Sequence, residues 1–223
     1  MKVWQVWLSG VALSLPALFM AAAGAAELQD GAAVETVFPV PLYQSINRPM
    51  PKAAYADAVR ILRDADKRDG DAQISRAEAM SNLGYPPQQV LGGLEDGLSR
   101  APASVQGWVY YAWTLAPLDP AKASQALGQA SALAPYDFFW AGARTRLAAR
   151  LWPYLNDTAR NEALRQVRAL WEEPEYRDQL PALLATTGGG RLVVRAFGDA
   201  PTTIIAIDRW LRARQHELAA PGH

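Results

Sequence analysis

The sequence predicts an all-α fold: a short right-handed array of helical hairpins, an α-solenoid, with extra helices after it. Three observations carry that expectation. The stretch 99–135 reads as one complete, phased helix pair, with Trp108, Tyr111, Ala112 and Leu115 on one helical face, Ala123, Leu127 and Ala130 on the next, and Pro135 closing it. The dipeptide Ala101-Pro102 recurs as Ala134-Pro135, a repeat of 33 residues. Pro102, Pro117 and Pro135 each sit where a helix must stop or start, because proline lacks the N–H and its ring clashes with the preceding turn. Roughly seven to nine helices are expected, with no sheet larger than a hairpin.

Helices pack closely only where one offers a small residue to the other. Ala112, Ala123 and Ala130 therefore mark crossings, and Trp108, Tyr111 and Leu127 are expected to fill the space around them. These positions resemble one tetratricopeptide repeat (TPR), whose pattern asks for Trp, a large apolar and a small residue in the first helix, small and bulky residues four apart in the second, and a closing Pro. The period of 33 is one short of the family's 34, the missing residue falling in the turn around Leu118 to Pro120. The resemblance covers about Ala53 to Pro174 and is close only in the central unit. It implies a TPR-like solenoid that works by binding other polypeptides.

Composition narrows the classes of function. Lys plus Arg number 22 and so do Asp plus Glu, so bulk electrostatic binding of nucleic acid is not expected. Cysteine is absent, which excludes disulfides, thiolate metal sites, cysteine nucleophiles and a lipidated cysteine. The 8 tryptophans read most simply as large core fillers of a helical array.

In chain order, residues 1–26 read as a signal peptide. Lys2 supplies the positive end, Val3 to Met20 the apolar stretch, and Ala23-Gly24-Ala25 the small-residue cleavage motif. The competing reading is an uncleaved inner-membrane anchor, since the apolar stretch is near the lower limit for spanning. Either predicts an extracytoplasmic, periplasmic protein. Residues 27–52 carry Pro39, Pro41, Pro49 and Pro51 without helical or alternating period and read as an extended linker. TPR-like helices are expected over 53–174. The first is a half repeat carrying Ala58, Leu62 and Ala65, followed by a helix over 72–83 and another carrying Val90, Leu94 and Gly97. A third copy starts at Trp140, Ala143 and Leu147, turns through Trp152-Pro153-Tyr154, caps at Asn156 or Asp157, and continues with Ala163 and Val167. Capping helices are expected over 175–215, interrupted by Gly188-Gly189-Gly190, which reads as a flexible linker. Leu192-Val193-Val194 fits either a helix or a short strand. Residues 216–223 read as a disordered tail.

One stretch offers metal chemistry. Asp66, Asp69, Asp71 and Glu78 fall near the ligand positions of an EF-hand loop, although the required glycine is Ala72. One reading is a calcium-responsive or structural periplasmic protein organised by this degenerate loop. The other is a solvated Asp/Gly turn that caps the following helix. Beyond it, no nucleophile elbow, P-loop, zinc motif or dinucleotide fingerprint occurs, and both histidines, His216 and His223, lie in the expected tail. No catalytic residue, cofactor or firm metal site is therefore assigned, and the chain is not expected to be an enzyme.

The expected function is an exported TPR-like scaffold or adaptor that mediates protein–protein interaction in the bacterial cell envelope. Counting from Trp108 and Trp140 in the repeat, the resemblance implies a partner-binding groove of Gln106, Val109, Trp113, Phe138, Ala141 and Thr145. Trp113 stands out, because it points about 140° away from Trp108 at a period of 3.6. The proline-rich arm or the last helix is the alternative expectation for what covers its ring. The expected partner is a protein or peptide of the envelope, with inner-membrane association if the N-terminal segment stays uncleaved. The layout also resembles exported TPR-like proteins of proteobacteria, some of which accompany surface-polysaccharide genes, and that resemblance implies a link to polysaccharide production or export.

Overall fold

The computed structural model describes residues 51–63 and 69–219, with side chains described up to Arg214. The signal-peptide stretch 1–26, the linker up to residue 50 and Asp66 lie outside the described residues. Among the described residues there are ten α-helices and no strand. They are α1 (Lys52–Ile61), α2 (Gly70–Asn82), α3 (Pro87–Arg100), α4 (Val105–Leu115), α5 (Pro120–Leu133), α6 (Ala141–Leu151), α7 (Asp157–Glu172), α8 (Leu180–Leu184), α9 (Gly189–Ala196) and α10 (Pro201–Ala219). Short 3₁₀ turns at Trp152–Tyr154 and Pro174–Gln179 bridge α6 to α7 and α7 to α8. The tally exceeds the seven to nine expected, and α10 runs four residues into the stretch read as a tail.

Neighbouring helices pack in sequence. α2 lies on α3, α4 on α5 and α6 on α7, while α2 touches α4 and α4 touches α6. Caps explain the boundaries. Asp69 accepts from the N–H groups of Asp71 and Ala72, Ser104 from Gly107, Asp119 from Lys122 and Asn156 from Ala159. Pro87 and Pro120 occupy first helical positions, where the missing N–H costs nothing.

The core follows the expected crossings. Ala112, Ala123 and Ala130 are fully buried, with Tyr111, Leu115 and Leu127 around them. Trp108 is different: it is only half-buried, and its indole N–H donates to the Pro102 carbonyl at 2.8 Å on the rim. Gly107 turns inward instead. A Cβ there would stand 2.8 Å from both Ile74 Cδ1 and Leu98 Cδ2, so α4 approaches α2 and α3 too closely for any larger residue.

A second cluster joins α6 and α7 to the C-terminal helices through Leu170, Leu180, Leu183, Leu192, Val193, Phe197 and Ile207. Residues 192–194 are helical, within α9. The glycine run is not a flexible linker. Gly188 adopts a left-handed φ of 85°, and a Cβ on Gly189 would collide with the Leu183 carbonyl, so the run is a wedged turn that seats α9 against α8 and α6.

Ala112→Leu and Ala130→Leu are each expected to destabilise the fold by about 1–3 kcal/mol, since overpacking forces the crossing helices apart. Val194→Ala, at a position 54% exposed, is expected to stay within about 0.5 kcal/mol. Urea midpoints of the three variants check the register: equal midpoints would show that the crossings lie elsewhere.

Candidate functional site

The six residues expected to line one groove do not form one surface. Val109 is 3% exposed, and Ala141 and Thr145 are fully buried, with the Thr145 hydroxyl donating to the Gly142 carbonyl. Val109, on α4, lies in the first core cluster, and the burial of Ala141 and Thr145 has its own physical cause. α6 is packed by α5 and α7 and also by α8 and α9, so the face that a more open array would turn to solvent is covered by the chain's own C-terminal helices. Gly142 marks that contact, because a Cβ there would run into the Gln179 amide. Phe138 is half-buried against Tyr176, ring centroids 5.6 Å apart. Gln106 is half-buried and spends its amide N–H on Glu78. Of the six, Trp113 lines an open cleft.

Glu78 is the residue the sequence placed least well. Gly70–Asn82 is helical, so Glu78 lies eight residues past the start of α2 rather than closing a loop. Asp69 is occupied as the cap of that same helix. No group of three or more His, Cys, Asp or Glu that could hold a metal ion occurs among the described residues. The Glu78 carboxylate is instead 1% exposed between α2 and α4, where it accepts from the Tyr110 hydroxyl at 2.6 Å and from Gln106. Burial pushes its pKa up to about 7, against the smaller opposite effect of those two hydrogen bonds.

Trp113 sits where three inter-helix turns converge at one edge of the molecule. α2 ends in a left-handed Gly84 with φ of 81°, and the N–H groups of Gly84 and Tyr85 donate back to the Ser81 and Met80 carbonyls. That closure projects Tyr85, which is 41% exposed, onto the rim. α4 ends at Leu115, ahead of Pro117, and α5 restarts at Pro120. α6 ends in Trp152-Pro153-Tyr154, and Tyr154 is 54% exposed.

These ends enclose a cleft of about 430 Å³ walled by Tyr85, Pro87, Trp113, Pro117, Pro120 and Tyr154. The half-buried Trp113 ring forms its apolar patch. Over that ring lies the exposed Arg150 guanidinium, 4.6 Å from the ring centroid, on the last turn of α6 where a cation also complements the helix dipole. No acidic residue lines the cleft. Among the described residues α10 does not line it; the proline-rich arm, the other expected cover for Trp113, lies outside the described residues.

A larger groove of about 990 Å³ runs between α5 and α7, past Ser124, Gly128, Asn161 and Glu162. Its polar groups are largely engaged with one another. Glu162 takes both Arg165 and Gln166, and Arg144 beneath donates to the carbonyls of Ala130, Ala134 and Asp137. What remains is uncharged, and its one aromatic is Tyr154, which it shares with the Trp113 cleft; it has no counterpart of the Trp113 ring.

Glu78 generates a pH prediction. With a folded-state pKa of about 7 against an ordinary 4.5, only the folded chain holds the proton between those values, so stability falls as pH rises through that window. Relative to Glu78→Gln, the wild type is expected to lose on the order of 3 kcal/mol between about pH 4.5 and 7.5, read from urea unfolding. A constant difference across that range would show that Glu78 is ionised in the fold. No family model, curated protein or solved structure matches the chain, so geometry and sequence carry the functional reading.

Proposed function

We propose that this chain is an exported, TPR-like scaffold or adaptor of the bacterial cell envelope that binds a polypeptide partner through the Trp113 cleft, and that it is not an enzyme. The export part rests on the reading of residues 1–26. No helix among the described residues is long and apolar enough to cross a membrane, and residues 3–20 lie outside them. The TPR-like part is supported by the order of packing, in which consecutive helices pair and the first helices of successive pairs touch.

The Trp113 cleft carries the binding reading. A tryptophan ring, two exposed tyrosines and three proline faces gathered around one guanidinium form a rigid amphipathic patch. Such residues anchor polypeptide interfaces because each adds large contact area at small entropic cost. Catalysis would need a different set of groups, and the cleft has no carboxylate, histidine or nucleophile-base pair among its walls.

Trp113→Ala is expected to remain folded, since the ring lies at the edge of the core, and to weaken partner capture by about 2 kcal/mol, roughly 30-fold. Helicity by circular dichroism and capture from envelope extracts are measured together, with Tyr154→Ala as the milder second variant. Folded Trp113→Ala that captures the same partner at wild-type strength overturns the cleft as the binding surface.

A further inference from the structure

We propose that the Trp113 cleft recognises an extended, proline-rich acidic segment, and that its resident occupant is residues 35–43 of the same chain, Glu35-Thr36-Val37-Phe38-Pro39-Val40-Pro41-Leu42-Tyr43. The inference rests on the reading of that cleft as a polypeptide-binding surface and adds what the surface takes.

Four observations point the same way. The walls are aromatic and proline faces, the lining by which proteins hold polyproline-type segments, whose backbone is already ordered and so loses little entropy on docking. The cleft is cationic through Arg150 and has no acid of its own, whereas residues 27–50 carry Glu27, Asp30 and Glu35 against Arg48 alone.

The third observation is where the described chain begins. Pro51 has φ −56° and ψ 139°, which is polyproline geometry, so the chain enters α1 from an extended path. α1 packs on α2, and its Tyr55 shares a cluster with Ala79, Met80 and Leu83 near the end of α2. That end is the one whose following residue, Tyr85, walls the cleft. The fourth is reach. The ten residues from Pro41 to Pro51 span about 31 Å at about 3.1 Å per residue, whereas α2 and α6 stand two interhelical spacings apart, about 20 Å.

In this arrangement Glu35 meets the Arg150 guanidinium, and Phe38, Pro39 and Pro41 lie across Trp113 and Tyr85. A tethered segment competes at an effective concentration in the millimolar range, so an outside partner must present similar chemistry and bind better to displace it. The arm then acts as a filter against weak proline-rich binders.

The test uses the full chain, whose lack of cysteine lets two be introduced cleanly. Val40→Cys with Tyr85→Cys is treated with a short bismaleimide, and bridged protein is measured alone and with Glu35→Lys or Trp113→Ala added. The expected result is a bridge within one molecule, insensitive to dilution, whose yield falls at least fivefold with Glu35→Lys and with Trp113→Ala. Glu35 lies outside the described helices, so the test survives if Trp113→Ala fails to fold. A yield unchanged by Glu35→Lys overturns the proposal, as does a bridge that forms only between molecules. Capture of a partner through Trp113 together with an unchanged bridge would sink the arm proposal and leave the adaptor function standing. A docking-dependent bridge with no Trp113-dependent partner would do the reverse.

Discussion

Close helix approach is the constraint on which the rest of the structure depends. The chain has no cysteine, so no disulfide reinforces the array. The approach is made by leaving side chains out. At Gly97 an added Cβ would lie 2.7 Å from Ile74 Cγ1 and 2.9 Å from the Gly70 carbonyl, and at Gly107 the same Ile74 blocks it again. Ile74, 1% exposed, is thus the knob that α2 drives between α3 and α4, and the two glycines are the hole. Ala112, Ala123 and Ala130 do the same for α4 and α5 with one methyl each. Because packing at such points leaves no slack, the register of one pair fixes where the next begins.

Helix ends are sewn together by arginine. Arg144, 1% exposed, reaches the carbonyls of Ala130 and Ala134 at the end of α5 and of Asp137 in the turn that follows. Arg165 reaches Pro135, Arg168 reaches Ala196 and Arg177 reaches Trp171 in the same way. A planar guanidinium serves several carbonyls at once, which a lysine could not do in the same space. These bonds tie the hairpins to the C-terminal helices, and so they help to keep Ala141 and Thr145 inside.

Much of the fold was legible because it is written in periodicity and punctuation. The alanine spacing marked the α4–α5 crossing, and the prolines marked helix ends, since both act locally. Three kinds of feature were not legible. Trp108 was taken as core by its size, whereas Gly107 beside it makes the contact, and an absent side chain leaves no apolar signal. Glu78 looked like a ligand because acidic residues precede it, but Asp69 caps the helix, and only the fold brings Tyr110 and Gln106 to it across roughly thirty residues. Val109, Ala141 and Thr145 were placed on an open face by counting within a repeat. Counting within a repeat carries no information about the neighbours that bury Val109 in the first cluster or about the C-terminal helices that cover Ala141 and Thr145.

The open tryptophan surface therefore lies at an edge rather than on a helix face. A short array buries the sides of its first helices against one another and against its caps, leaving the turns least covered. Those turns need proline to end one helix and start the next. They also need bulky residues to seal the ends of the core: Tyr85, Trp113 and Tyr154 each lie within a few residues of a proline. Punctuation and sealing together concentrate rings and proline faces along one edge, and Arg150 adds the single charge. A patch of that composition follows from how this sequence stops its helices, which is why Trp113 could be singled out from the chain while its proposed groove partners could not.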